Sequence, residues 1–170
     1  MVIEMLHTKE LFTSLDDTTC VLIQLASSKN EVFLNTIPFT GSWTAAQLIV
    51  HVTKSNKAIA QGLNMQGKPA DRNPEEGVPH LKKMFLDFEV KYQSPAFIIP
   101  EQGNYNKEEL VNALEKSVQR LQQTRIATDL TEIINLPAFG DVTKLELLHF
   151  VLYHTQRHIH QLKKIFLALK

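Results

Sequence analysis

Four stretches of the chain repeat apolar residues at helical spacing without a proline: about 7–28, 44–66, 106–127 and 143–168. Between them the punctuation is uneven. Residues 1–36, 104–136 and 141–170 hold neither proline nor glycine, whereas five of the seven prolines fall between Pro69 and Pro100. Thr44 with Gln47, Asn106 with Glu109 and Thr143 with Glu146 each pair a capping residue with Glu or Gln three positions later. That spacing satisfies backbone N–H groups a helix start leaves open. Runs such as Phe97 to Ile99 are short and lie between prolines, so no strand is predicted. Residues 67–105 form a long connection with a short helix inside 77–91. The layout predicts an all-α fold, a four-helix bundle with a long crossover connection between helices 2 and 3, as a single domain over 1–170.

The rotation of the last helix sorts its side chains. With His154 at zero and about 100° per residue, His158 falls at about 40° and Leu147, Val151, Leu162, Ile165 and Leu169 at about 20–80°. His154 and His158 therefore stand on the apolar stripe. Gln156, Arg157, Lys163 and Lys164 project to the polar side, as do His149, His160 and Glu146. On the second helix Leu48, Val52, Ser55, Ile59 and Gly62 form the inner stripe, with His51 beside it and able to turn inward. The small Ser55 and Gly62 leave room for a bulky partner from another helix.

Two histidines one helical turn apart, joined by a third from a facing helix, can meet one metal at about 2.0–2.1 Å and leave coordination positions open. The competing reading is that these are core histidines hydrogen-bonded to neighbours, in a non-catalytic helical-bundle binding or interaction protein. His7, His80, His149 and His160 read as solvated surface, and Cys20, among Val21, Leu22 and Leu25, as a buried inert thiol.

Composition narrows the choices. With 18 Lys plus Arg against 18 Asp plus Glu, the formal charge is zero, which argues against a nucleic-acid partner. A single cysteine excludes an intramolecular disulfide and a zinc site built on several thiolates. No apolar run is long enough for a membrane span, and no secretory leader pattern opens the chain, so a cytoplasmic location is expected. Glu146 and His149 give only one of the two Glu-x-x-His pairs a di-iron bundle needs, and residues 44–66 hold no acid at all.

Trp43 to His51 (WTAAQLIVH), His154 to Gln161 (HTQRHIHQ) and Phe97 to Pro100 (FIIP) together resemble the DinB/YfiT-like superfamily of metal-dependent enzymes, across nearly the whole chain. The resemblance implies a divalent metal ion, nickel or zinc, held by His51, His154 and His158. Gln161 would then orient a ligand imidazole or a metal-bound water. It further implies a thiol-dependent S-transferase using bacillithiol, mycothiol or glutathione, or a hydrolase, acting on a small molecule, and a homodimer. The 67–105 connection is expected to cross the mouth of the site, with Tyr92, Phe97 and Tyr105 as wall residues.

Overall fold

A computed structural model describes residues 2–170, with side chains described from His7 onward. The elements run α1 (Val2–Ser27), α2 (Glu31–Asn35), α3 (Ala45–Leu63), α4 (Val78–Leu86), α5 (Lys107–Ile126), β1 (Ile133–Leu136), β2 (Gly140–Thr143) and α6 (Lys144–Ala168). Helices α1, α3, α5 and α6 are the four predicted ones and form the bundle. Among the described residues no helix is long and apolar enough to cross a membrane.

The helix starts follow the capping chemistry. Thr44 Oγ1 accepts from Gln47 N at 3.1 Å while Gln47 Oε1 accepts from Thr44 N at 3.0 Å. Thr143 and Glu146 make the same reciprocal pair at 3.0 and 2.8 Å. At α5, Asn106 caps through one bond, accepting from Glu109 N. Apolar burial then holds the bundle in two clusters. One gathers Leu11, Leu15, Ile59, Leu63, Leu147 and Val151. The other gathers Leu22, Leu34, Leu48, Val52, Leu114 and Leu162. Each such side chain contributes about 1.5–3 kcal/mol when fully buried.

Three expectations change. The segment before α6 is an antiparallel hairpin, with Ile133 opposite Thr143 and Leu136 opposite Gly140. Its four-residue strands bury only Ile134, Val142 and Thr143, too short an alternation to stand out from loop sequence. Lys68 extends the hairpin through paired backbone bonds to Ile133 at 2.9 and 2.8 Å. The hairpin also supplies part of the bulk expected over Gly62: a Cβ there would lie 3.3 Å from Leu136 Cδ1, with Ile134 and Leu147 close behind. The short α2, capped by Asn30, was not anticipated either. Cys20 is exposed, not buried, because its position on α1 faces away from both clusters.

The largest correction concerns the back of α6. Lys163 and Lys164 are exposed as expected, but the polar face from Glu146 to His160 does not meet solvent freely, because α4 and the chain after it pack over it. Glu146 is 2% exposed and Arg157 6% exposed. Glu146 accepts two bonds from the Arg72 guanidinium, both at 2.7 Å, and further bonds from Gly77 N at 2.6 Å and Thr143 N. Burial pushes the Glu146 carboxyl up, but these donors more than reverse it and hold the group below the usual carboxylate range. Gly77 has to be small: a Cβ would sit 2.7 Å from Glu146 Oε1. Arg157 donates to the carbonyls of Phe85, Asp87 and Val90. Thus one charged residue of α6 fixes the start of α4 and another fixes its end. His149 and His160, expected on the surface, are half-buried for the same reason. His149 lies 3.8 Å from Glu75, and His160 stacks on Phe88 with ring centroids 4.2 Å apart.

Glu146→Ala removes the shared acceptor of this junction and leaves its donors competing for solvent. Breaking a buried pair costs about 3–5 kcal/mol, and the 26% exposure of the Arg72 side chain puts the expected loss near the lower bound of that range. Urea unfolding followed by circular dichroism measures it. A loss below about 0.5 kcal/mol, the scale of an ordinary surface substitution, would contradict this role.

Candidate metal centre

The inner stripe of α3 carries His51, and one turn of α6 carries His154 and His158. All three are buried, at 2%, 5% and 6% exposure. His154 Nε2 lies 3.2 Å from His51 Nε2 and 2.9 Å from His158 Nε2. One ligand-type nitrogen from each ring falls within 4.8 Å of the others, and no carboxylate or thiol joins this group among the described residues.

The outer ring nitrogens decide what the inner ones present. His51 Nδ1 lies 3.1 Å from the carbonyl oxygen of Ile98. A carbonyl only accepts, so Nδ1 carries the proton and Nε2 is left as a bare lone pair. His158 Nδ1 donates to the amide oxygen of Gln161 at 2.7 Å, which leaves its Nε2 bare as well. Both lone pairs point at His154 Nε2. A proton there lies along one of the two directions at a time, leaving the other lone pair without a full partner in a dry interior, a costly arrangement. A cation at the centre satisfies all three. Ligands at about 2.0–2.1 Å in tetrahedral array sit about 3.3 Å from one another, close to the separations observed, so the donor set fits a divalent ion.

The surroundings keep the imidazoles neutral, the form that binds metal. Burial lowers the pKa of His51, opposed by its bond to Ile98. Burial holds His154 well below the ordinary histidine value, reinforced by repulsion from His158, His51 and Arg157. Burial and repulsion from His51 bring His158 to about 3, although its bond to Gln161 works the other way. Aromatic rings close the walls. Trp43 lies 5.2 Å from His51, Phe150 stacks at 4.9 Å on His154, and Phe85 meets His154 edge-on at 5.9 Å.

The structure brings His51, His154, His158 and Gln161 together. His149 and His160 stand apart on the α4 side, and His7 and His80 are exposed. Glu146 is committed to Arg72, which leaves no Glu-x-x-His metal pair. The 67–105 connection does approach the centre, through Phe85 and the Ile98 carbonyl. Tyr92 is exposed and packs beside Phe85 and Arg157, Phe97 is exposed, and Tyr105 packs on the Leu22 and Leu34 core cluster and donates its hydroxyl to Glu101 O. The Ile98 carbonyl and Arg157 were the functional groups missed. A backbone carbonyl leaves no mark in a side-chain pattern, and the projection sent Arg157 to solvent.

A sequence model of the DinB superfamily matches residues 14–162. A solved structure described as "Crystal structure of TT2238, a four-helix bundle protein" is similar at a TM-score of 0.60 and 17% identity, over 92% of this chain and 98% of that one. At that identity the likeness shows the fold. No functionally curated protein matches the chain.

Neutral burial of the triad makes stability depend on pH. The native histidines have lowered pKa values, so below about 6.5 the unfolded chain takes up protons that the native state refuses. Stability is therefore full above about pH 6.5 and lost as pH falls from there, before the carboxylates titrate near 4. Thermal melts of metal-free protein should show this loss, with a shallower slope for His154→Gln. Equal slopes would contradict a neutral, buried His154.

Proposed function

The chain belongs to the DinB superfamily, and on that premise we propose that it is a metal-dependent enzyme acting on a small molecule, with His51, His154 and His158 holding nickel or zinc. The observation that carries the proposal is the convergence of three Nε2 atoms, with the outer nitrogens of His51 and His158 committed to Ile98 O and Gln161 Oε1. A bound divalent ion supplies Lewis acidity, lowering the pKa of a thiol or water at its open position so that the deprotonated form is available near neutral pH.

The chain's own residues set the rest. Gln161 holds the His158 ring, and through it the aim of Nε2. The Ile98 carbonyl does the same for His51. Such partners typically change metal affinity about 10–100-fold when removed. Trp43, Phe85 and Phe150 keep water from the rings and strengthen every charge interaction within. The three imidazoles bring no negative charge, and the positive charge of Arg157 is felt at His154 and His158, so an anion arriving at the centre is favoured. A low-molecular-weight thiol such as bacillithiol, mycothiol or glutathione, arriving as thiolate, suits this electrostatic setting and makes S-transfer to an electrophile the leading reaction. Water in its place makes the same centre hydrolytic.

Metal titration of untagged protein, with circular dichroism as the folding control, tests this reading. Wild type should take up about one zinc or nickel per chain. His51→Ala should bind at least about 100-fold more weakly and Gln161→Leu about 10–100-fold more weakly, while His149→Ala and His160→Ala keep wild-type affinity. Wild-type protein that takes up no metal would reduce the triad to core histidines. A panel of thiols tested with an electrophile on the loaded protein then separates transfer from hydrolysis.

A further inference from the structure

The described residues include twelve large apolar side chains that are exposed, and five of them, Phe88, Val90, Tyr92, Phe97 and Ile99, lie within residues 88–99. Single exposed apolar residues need no explanation, but a concentration of them marks a binding surface. This one has a defined place. Its approach is anchored on the His154 side, where Phe85 meets His154 and Arg157 bonds the Asp87 and Val90 carbonyls. Its far end is anchored on the His51 side, where the Ile98 carbonyl accepts a hydrogen bond from His51 Nδ1 and Lys54 bonds the Ile99 carbonyl at 2.8 Å. The segment therefore spans the triad from one helix to the other. The segment is a strap of two parts: Glu89 and Lys91 separate the exposed Phe88, Val90 and Tyr92, and a 3-10 turn at Ala96–Ile98 leaves Phe97 and Ile99 exposed on either side of the buried Ile98. Phe88 stacks on His160, so the exposed residues tied to the walls of the triad are Tyr92, against Phe85 and Arg157, and the pair flanking Ile98.

Two further observations define the occupant. The two helix cations that touch the strap are already engaged: Arg157 by three carbonyls and the Tyr92 ring, and Lys54 by Glu101 at 2.6 Å. The size is also limiting. Counting even Val90 and Ile99 at the about 150–250 Å² of an aromatic side chain, the five residues at 38–61% exposure leave at most on the order of 450 Å² open. A specific protein partner needs about 800 Å² on each side. An area of this size matches one face of a small molecule.

We infer that residues 88–99 bind the uncharged aromatic or aliphatic body of the small-molecule substrate, placing its reacting group over the triad. The inference rests on the metal-dependent reading for the word substrate, but the surface is testable without it. The probe is N-phenyl-1-naphthylamine, a neutral apolar fluorophore, titrated into the full-length chain as purified and after loading with zinc or nickel. Saturable one-site binding is expected. Phe97→Ser and Ile99→Ser should each weaken it at least fivefold, while Ile126→Ser, which removes an exposed apolar side chain from the end of α5, leaves it unchanged. Nickel, which quenches nearby fluorophores where zinc does not, should dim the bound probe. Absence of saturable binding, equal weakening by Ile126→Ser, or no quenching in nickel-loaded protein would overturn the proposal. So would sedimentation showing a dimer that dissociates on Phe97→Ser, since a second copy would then occupy the strap. Failure of wild-type protein to take up metal counts against the enzymatic reading alone, because the titration of the protein as purified still decides whether the surface binds.

Discussion

Three imidazole Nε2 atoms facing one another in a dry interior, with the His154 proton unable to serve both neighbouring lone pairs at once, are the point around which this molecule is arranged. Neutral lone pairs at about 3 Å repel unless something positive lies between them. The protein enforces that arrangement with His51 Nδ1–H donating to Ile98 O and His158 Nδ1–H donating to Gln161 Oε1. Burial then resists protonation of the inner nitrogens, most strongly at His154. Each device favours a metal ion as the species that completes the cluster.

The crossover between α3 and α5 joins this centre to the rest of the fold. Glu146 gathers Arg72, Gly77 and Thr143, and Arg157 gathers the carbonyls after α4. Helix α4 has no fully buried residue of its own, so these polar junctions, with the Phe85 contacts, set where it lies. Phe85 in turn packs on His154 and Phe150. The same junctions that fix the connection therefore fix one wall of the centre. The Lys54 and His51 contacts to residues 98–101 fix the opposite wall.

Much of this was visible in the sequence because helical periodicity reports which residues share a face. The four long helices, their caps at Thr44, Asn106 and Thr143, and the inward rotation of His154 and His158 follow from spacing and stripe; for His51 the stripe allowed only an inward turn, and its place beside the other two came from the family resemblance. The same method failed where it equated polar with exposed. Glu146, His149, Arg157 and His160 form a polar face, but a fifth helical segment covers it, and the partners that satisfy them come from residues 72–90. Nothing local to α6 announces those partners. The hairpin was missed because four-residue strands carry too little alternation to register, and the Ile98 carbonyl because backbone groups look alike in any sequence. Cys20 shows the limit of reading burial from neighbours in the chain, since apolar residues on either side of it turn to other faces of α1.

The protonation pattern of the triad tests the central claim most directly. Long-range proton–nitrogen NMR of the histidine side chains, recorded through a zinc titration, reports which ring nitrogen carries the proton and which binds metal. The metal-free protein should show His51 and His158 as neutral rings protonated at Nδ1, and zinc should shift the Nε2 resonances of His51, His154 and His158 together at one equivalent. A proton on Nε2 of His51 or His158, or Nε2 resonances that zinc leaves in place, would contradict the account.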